Sequence, residues 1–187
     1  MDISVTTARL ERSEDALARL ALGDATAFAD IVQEHQSMVF SIAYHFLHDR
    51  SLAEEAAQDV FLRLYRNLAS IKSPQHLVFW LRKVACRRAL DEVRKLPKTP
   101  PASLEDVAEP VANAQDSDPL LSRGLRRMVA SLPEDSRAVI ILRYQEELDL
   151  AEIARILGLP LNTVKSRLER SLGLLREKLN RWAGGAA

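Results

Sequence analysis

The chain has 187 residues, 47% of them apolar, enough for one or two small domains with real cores and too many for a disordered polymer. Its 26 Lys and Arg balance 26 Asp and Glu, which argues against a nonspecific nucleic-acid coat. A single cysteine, Cys86, excludes an internal disulfide and a cysteine-built zinc site, so a reducing compartment is expected.

Almost every segment outside the centre repeats at helical spacing, and none alternates as a strand does, so the fold class expected is all-α. A short helix near 13 to 22 precedes one over 24 to 48, in which Phe28, Ile31, His35, Val39, Ile42 and Phe46 recur at threes and fours. In the third helix Ala53, Ala56, Ala57, Val60, Phe61, Leu64, Tyr65 and Leu68 make a double row facing the core. That leaves Glu54, Glu55, Gln58, Asp59 and Arg63 at the solvent side. Such an acidic, amide-bearing face suits a partner surface, and it equally suits the helix dipole near an N-terminus.

The fourth helix, about 75 to 96, carries Lys83, Arg87 and Arg94 on one line with Trp80 and Asp91 beside them. Residues 72 to 95 hold seven cations against Asp91 and Glu92. A cationic stripe beside an indole fits nucleic acid, the charges meeting phosphates and the ring an unstacked base; Trp80 fits a core position equally well.

Between 97 and 118 the composition changes. Pro97, Pro100, Pro101 and Pro110 alternate with small residues and with Glu105, Asp106, Glu109, Asp116 and Asp118, a pattern that favours an extended tether over packing. The chain is therefore expected to divide into 1–96, a linker 97–118, and 119–187. Charge divides with it: 1–96 has 13 cations and 13 anions, the linker five acids against Lys98, and 119–187 has 12 cations against 8 anions.

In the last segment Leu121, Leu125, Met128, Val129 and Leu132 form one helical face. Ser131 to Glu134 reads as a capping box opening a helix toward Tyr144. Asp149 and Glu152 read as a second capping box, with Ile153, Ala154 and Leu157 buried behind them and Gly158 ending the helix. Pro160 cannot continue that helix, and Asn162 is suited to cap a new one from Thr163. Val164, Leu168, Leu172, Leu175 and Leu179 then make an apolar stripe. Ser166 and Arg170 point away from the stripe, with Lys165 and Arg167 on its shoulders. Two short helices joined by a tight turn, the second carrying cations, is the layout of a helix-turn-helix DNA reader; alone, the pattern also fits an ordinary amphipathic hairpin.

Three motifs in this order resemble the extracytoplasmic-function (ECF) class of bacterial sigma-70-type factors over nearly the whole chain. AEEAAQDVFLRLYRNL, 53 to 68, resembles sigma region 2.2. FWLRKVACRRALDEVRK, 79 to 95, resembles regions 2.3 and 2.4, and 131 to 171 is similar to region 4 throughout.

The resemblance implies a sigma region 2 domain over 1–96, a region 4 domain over 119–187, and an alternative sigma factor that directs promoter-specific transcription initiation. It implies core RNA polymerase as partner, through the beta-prime clamp helices and the beta flap, with Glu54, Glu55, Gln58, Asp59 and Phe61 at the contact. It also implies promoter DNA: Ser73, Gln75, Trp80, Lys83, Arg87, Asp91 and Arg94 at the minus-10 element, and Thr163, Lys165, Ser166, Arg167, Glu169 and Arg170 at the minus-35 element. The loop Ser73 to His76 corresponds to the family's pocket for a flipped base. Family members are commonly held by an anti-sigma protein.

Two departures concern promoter choice and helix length. Family members commonly have Asn where Arg87 stands, and often a basic residue where Leu172 stands. Gly173 interrupts the last helix at a cost of about 1 kcal/mol relative to Ala, so fraying beyond Leu172 is expected.

Other function classes are disfavoured. A response regulator sharing the DNA-reading module would need alternating strands and helices before it, and 1–96 lacks that pattern. No nucleophile with a base, phosphate loop or metal cluster is visible, so neither an enzyme nor a bound metal or cofactor is expected; His35, His45, His48 and His76 read as packing or surface residues, and Cys86 as an ordinary helix residue. No signal peptide or run of about 18 apolar residues is present, so a soluble cytoplasmic protein without membrane insertion is expected.

Overall fold

The computed structural model describes residues 3–95 and 119–184; the expected linker falls outside them. Every helix or strand element among the described residues is helical, which establishes the all-α class and leaves no alternating receiver fold before the helix-turn-helix. The chain divides into two compact units, Met1–Pro97 and Lys98–Ala187.

The first unit contains α1 (Ile3–Ala21), α2 (Ala27–Leu47), α3 (Arg50–Asn67) and α4 (Pro74–Lys95). α2 lies at its centre, packed on the other three. Ile31, Val39, Ile42 and Phe46 from α2, Val60 and Leu64 from α3, and Leu77, Leu81 and Ala85 from α4 are buried, as the helical periodicity predicts. Where α2 meets α3, Ala43 and Leu47 form a buried cluster with Ala53 and Ala56, against which Phe40, Tyr44 and Leu52 pack.

The join between α2 and α3 is set by local chemistry. His48 takes a left-handed backbone (φ 54°) that ends α2, and the Asp49 carboxylate accepts the Leu52 amide at 2.9 Å to begin α3. α1 extends well N-terminal of the expected start at residue 13. Arg12 donates to Glu34 at 2.6 Å, Arg19 reaches Asp24 and Asp30 at 2.7 Å each, and Ser13 Oγ lies 2.9 Å from His35 Nε2 in the buried seam.

The second unit contains α5 (Pro119–Ala130), α6 (Glu134–Tyr144), α7 (Leu150–Leu157) and α8 (Leu161–Gly184). α6 is its centre: Ala138, Val139, Ile140, Ile141 and Leu142 are buried in succession, so neighbours enclose this helix nearly all round.

Four local expectations change here. Ser131 does not cap α6, because its hydroxyl turns back to the Met128 carbonyl at 2.8 Å, and Pro133, with no capping side chain, precedes the helix. Asn162 lies inside α8 instead of capping it; the helix opens at Leu161, where the Pro160 carbonyl accepts the amides of Thr163 and Val164 at 3.0 and 3.1 Å. α8 runs on through Gly173 to Gly184, so the helix does not end at Leu172. Of the row expected over Leu121 to Leu132, Leu132 is buried, whereas Leu125 is 51% exposed.

Candidate functional site

The α3 face begins at Arg50, whose Nε donates to Glu54 at 2.9 Å. Glu54, Glu55 and Gln58 are exposed and Asp59 is half-exposed, so the acidic and amide groups share one side as the spacing requires. Phe61 stands apart. It is 9% exposed and belongs to the inward row that seats α3, not to the open face.

Tyr65, expected in the core, is instead 58% exposed, its ring meeting Phe28 edge-on at 5.1 Å between centroids. Leu62 is exposed as well. The face therefore combines carboxylates with two apolar groups that a core-versus-surface reading of the sequence did not assign to it.

α4 shows how one helix divides its charges. Its start is fixed by Ser73, whose hydroxyl accepts the His76 amide at 3.1 Å, while His76 Nδ1 accepts the Lys72 amide at 3.3 Å. Gln75 is exposed beside them. Trp80, Lys83, Arg87, Asp91 and Arg94 follow at intervals of three and four, which places them along one side of the helix. Trp80 and Lys83 are half-buried and the other three exposed. Lys83 Nζ sits 5.7 Å from the centre of the Phe79 ring, and Arg94 Nη1 lies 3.5 Å from Asp91 Oδ1.

Arg88 lies off that row. Only 8% exposed, its guanidinium donates from Nε to Asp59 Oδ2 at 2.8 Å and from Nη1 to Glu92, and Nη2 lies 3.8 Å from Glu55 Oε1. These bonds, Glu92 first and then Asp59, raise the guanidinium's pKa above its ordinary value against the opposing effect of burial. Glu92, bonded to Arg88 and then to Lys95, is held below the ordinary carboxylate range. From the sequence, Arg88 enters only as one of the seven cations of 72 to 95. Nothing in helical spacing signals a partner 29 residues away on another helix.

In the second unit the capping box forms as read. Asp149 accepts the Glu152 amide at 2.7 Å, and Glu152 accepts the Asp149 amide at 3.0 Å. Gly158, at φ 69°, ends α7 in the left-handed conformation that a side chain would strain. On α8, Val164 is buried against the core while Lys165, Ser166, Glu169 and Arg170 are exposed and Thr163 half-buried. Arg167 differs from its neighbours, because its Nη2 lies 2.9 Å from Asp135 Oδ2 on α6. Ser171, fully buried, donates its hydroxyl to the Arg167 carbonyl at 2.6 Å.

Among the described residues no cluster of three or more His, Cys, Asp or Glu is arranged to hold a metal ion, and no helix is long and apolar enough to cross a membrane.

Residues 31–99 match the family described as sigma-70 region 2, and residues 122–175 the family described as sigma-70, region 4. The chain is similar to the ECF RNA polymerase sigma factor SigW of Bacillus subtilis, at 33% identity over 172 residues, covering 84% of this chain and 91% of that protein. It is also similar to the ECF sigma factor SigK of Mycobacterium bovis, at 31% identity over 92% of this chain and 96% of the relative.

Two solved structures share the fold. CnrH in complex with the cytosolic domain of CnrY matches with a TM-score of 0.67 at 20% identity, over 91% of this chain and 98% of that one. RpoE of Bartonella quintana, in complex with the anti-sigma factor NepR, matches at 0.64 and 23% identity, over 81% and 97%. With both regions matched in order and relatives above 30% identity spanning nearly their full length, the chain belongs to the ECF sigma factors of the sigma-70 family, alternative subunits that direct RNA polymerase to particular promoters.

Proposed function

We propose that the chain binds core polymerase through the exposed side of α3, with Glu54, Glu55, Gln58 and Asp59 meeting the beta-prime clamp helices, and that its second unit also meets the beta flap. The observation that carries this reading is the segregation of α3: buried alanines and aliphatics on one side, carboxylates and an amide open to solvent on the other. A partner surface rich in Lys or Arg would find charge-assisted acceptors there.

The side of α4 carrying Trp80, Lys83, Arg87, Asp91 and Arg94, with Ser73 and Gln75 at its start, is proposed to hold the minus-10 strand. Capture of an unstacked base there would offset the few kcal/mol lost from the duplex stack. Thr163, Lys165, Ser166, Glu169 and Arg170 would enter the major groove at the minus-35 element, with Arg167 at the margin. The protein would thus act in the cytoplasm by binding alone, making and breaking no bond. An anti-sigma protein, the kind of partner seen with the Bartonella quintana relative, would oppose it by covering one of these faces.

The test is transcription in vitro from a promoter library with sigma-free core enzyme. Start-site selection should depend on the added chain, and Gln58→Ala combined with Asp59→Ala should weaken core binding while the chain stays folded. Absence of start-site selection on every template would overturn the proposal.

A further inference from the structure

We infer that Arg88 is a positioning residue for polymerase binding, holding the Asp59 carboxylate in a fixed orientation from beneath and tying that surface to the DNA-facing helix α4. The inference rests on the reading of the α3 face as the polymerase contact.

The geometry is that of a hub. One enclosed guanidinium bonds carboxylates on two helices, Asp59 on α3 and Glu92 one turn along its own helix, while Glu55, one turn before Asp59, lies 3.8 Å away. Arg suits this role because its planar fork presents several donors in fixed directions, which a lysine ammonium does not. Asp59 bonds Arg88 through Oδ2, and its side chain remains 42% exposed, so it keeps acceptor capacity toward solvent. Arg63 Nη2, at 3.9 Å from the same oxygen, approaches from the exposed side. An incoming cation therefore meets a carboxylate already oriented and does not have to order a free one, and preorganisation of this kind raises affinity.

Arg88 also lies next in sequence to Arg87, which is exposed about 100° away round α4. Contact at α3 and the seating of the DNA-facing helix thus share one side chain. A residue that merely neutralised the acids would have the opposite effect, since its removal would strengthen the field drawing a cationic partner.

The experiment is a double-mutant cycle on the full chain, measuring affinity for purified core polymerase with Arg88→Met and Arg88→Lys, each alone and with Asp59→Asn. Arg88→Met is expected to weaken binding by roughly five- to tenfold when Asp59 is present and by less than about twofold in the Asp59→Asn background. Arg88→Lys keeps the charge but loses the fork, and should retain more than half of the loss. Should Arg88→Met fail to fold, the Arg88→Lys cycle decides. Equal losses in both backgrounds, or tighter binding by Arg88→Met, would overturn the inference. Unchanged affinity in Asp59→Asn and Glu55→Gln would remove the polymerase surface itself, whereas weakening by those variants without coupling to Arg88 would remove only the part assigned to Arg88.

Discussion

Arg167 on α8 is tied to Asp135 on α6 across 2.9 Å, so one cation of the helix proposed to enter the major groove already has a carboxylate partner inside its own unit. The pair is partly exposed, and such pairs contribute at most about 1 kcal/mol to stability. Its larger effect falls on DNA, because a phosphate must compete with Asp135 for the guanidinium. Asp135→Asn should tighten binding to a minus-35 duplex by about two- to fivefold and steepen the salt dependence by about 0.9 in log–log slope. Titrations at several salt concentrations check this; an unchanged slope would mean that Arg167 never reaches a phosphate.

Arg170 has no such restraint and stands exposed on the side opposite the buried Val164. If it reads a base edge, Arg170→Ala should cost about 1–3 kcal/mol of discrimination between matched and mismatched upstream elements. Loss of overall affinity with the preference intact would reassign the side chain to a phosphate.

Gly173 lies inside α8, and a Cβ built there meets nothing within 4 Å. Gly173→Ala should therefore stabilise the second unit by about 0.8–1.0 kcal/mol and raise its melting temperature by about 4–8 °C. Thermal unfolding followed by circular dichroism is sufficient to measure it.

Asp24, at the join of α1 and α2, is held down to about 2 by the Thr26 hydroxyl first and by Arg19. A carboxylate depressed in the folded state stabilises the protein above its ordinary, unfolded value and loses that contribution as the pH falls through the folded one. The stability difference between the native chain and Asp24→Asn should thus be full at pH 6 and shrink between about pH 4 and pH 2. A difference constant over that range would show that Asp24 acts through its hydrogen-bond geometry and not its charge.

What was legible in the sequence was mostly local. Asp149 and Glu152 satisfy each other's amides three residues apart, and Gly158 ends the same helix, so both signals lie within one short window. The inward rows of α2 and α3 follow from a period that any amphipathic helix must keep. Ser131 and Asn162 have capping chemistry at the right distance, but the Ser131 hydroxyl is engaged by the Met128 carbonyl, and at α8 the Pro160 carbonyl accepts the first amides instead of Asn162.

The long-range features were not legible. Tyr65 and Leu125 have core chemistry, yet both are exposed, because burial is set by which neighbours pack against a helix face and not by its period alone. Spacing counts Arg88 among the cations of 72 to 95 and puts Arg167 on a shoulder of its stripe; their partners Asp59 and Asp135 emerge only when the neighbouring helices are placed beside them. The division of the candidate faces was recoverable from spacing; which of their charges are already engaged was not.

The contact between Ser13 and His35 has a consequence for how α1 finds its seat. Sliding α1 by a single turn, about 5.4 Å, would strand a hydroxyl and an imidazole away from water with their match broken. The pair works like a notch and key, admitting one alignment out of several that greasy contact alone would tolerate.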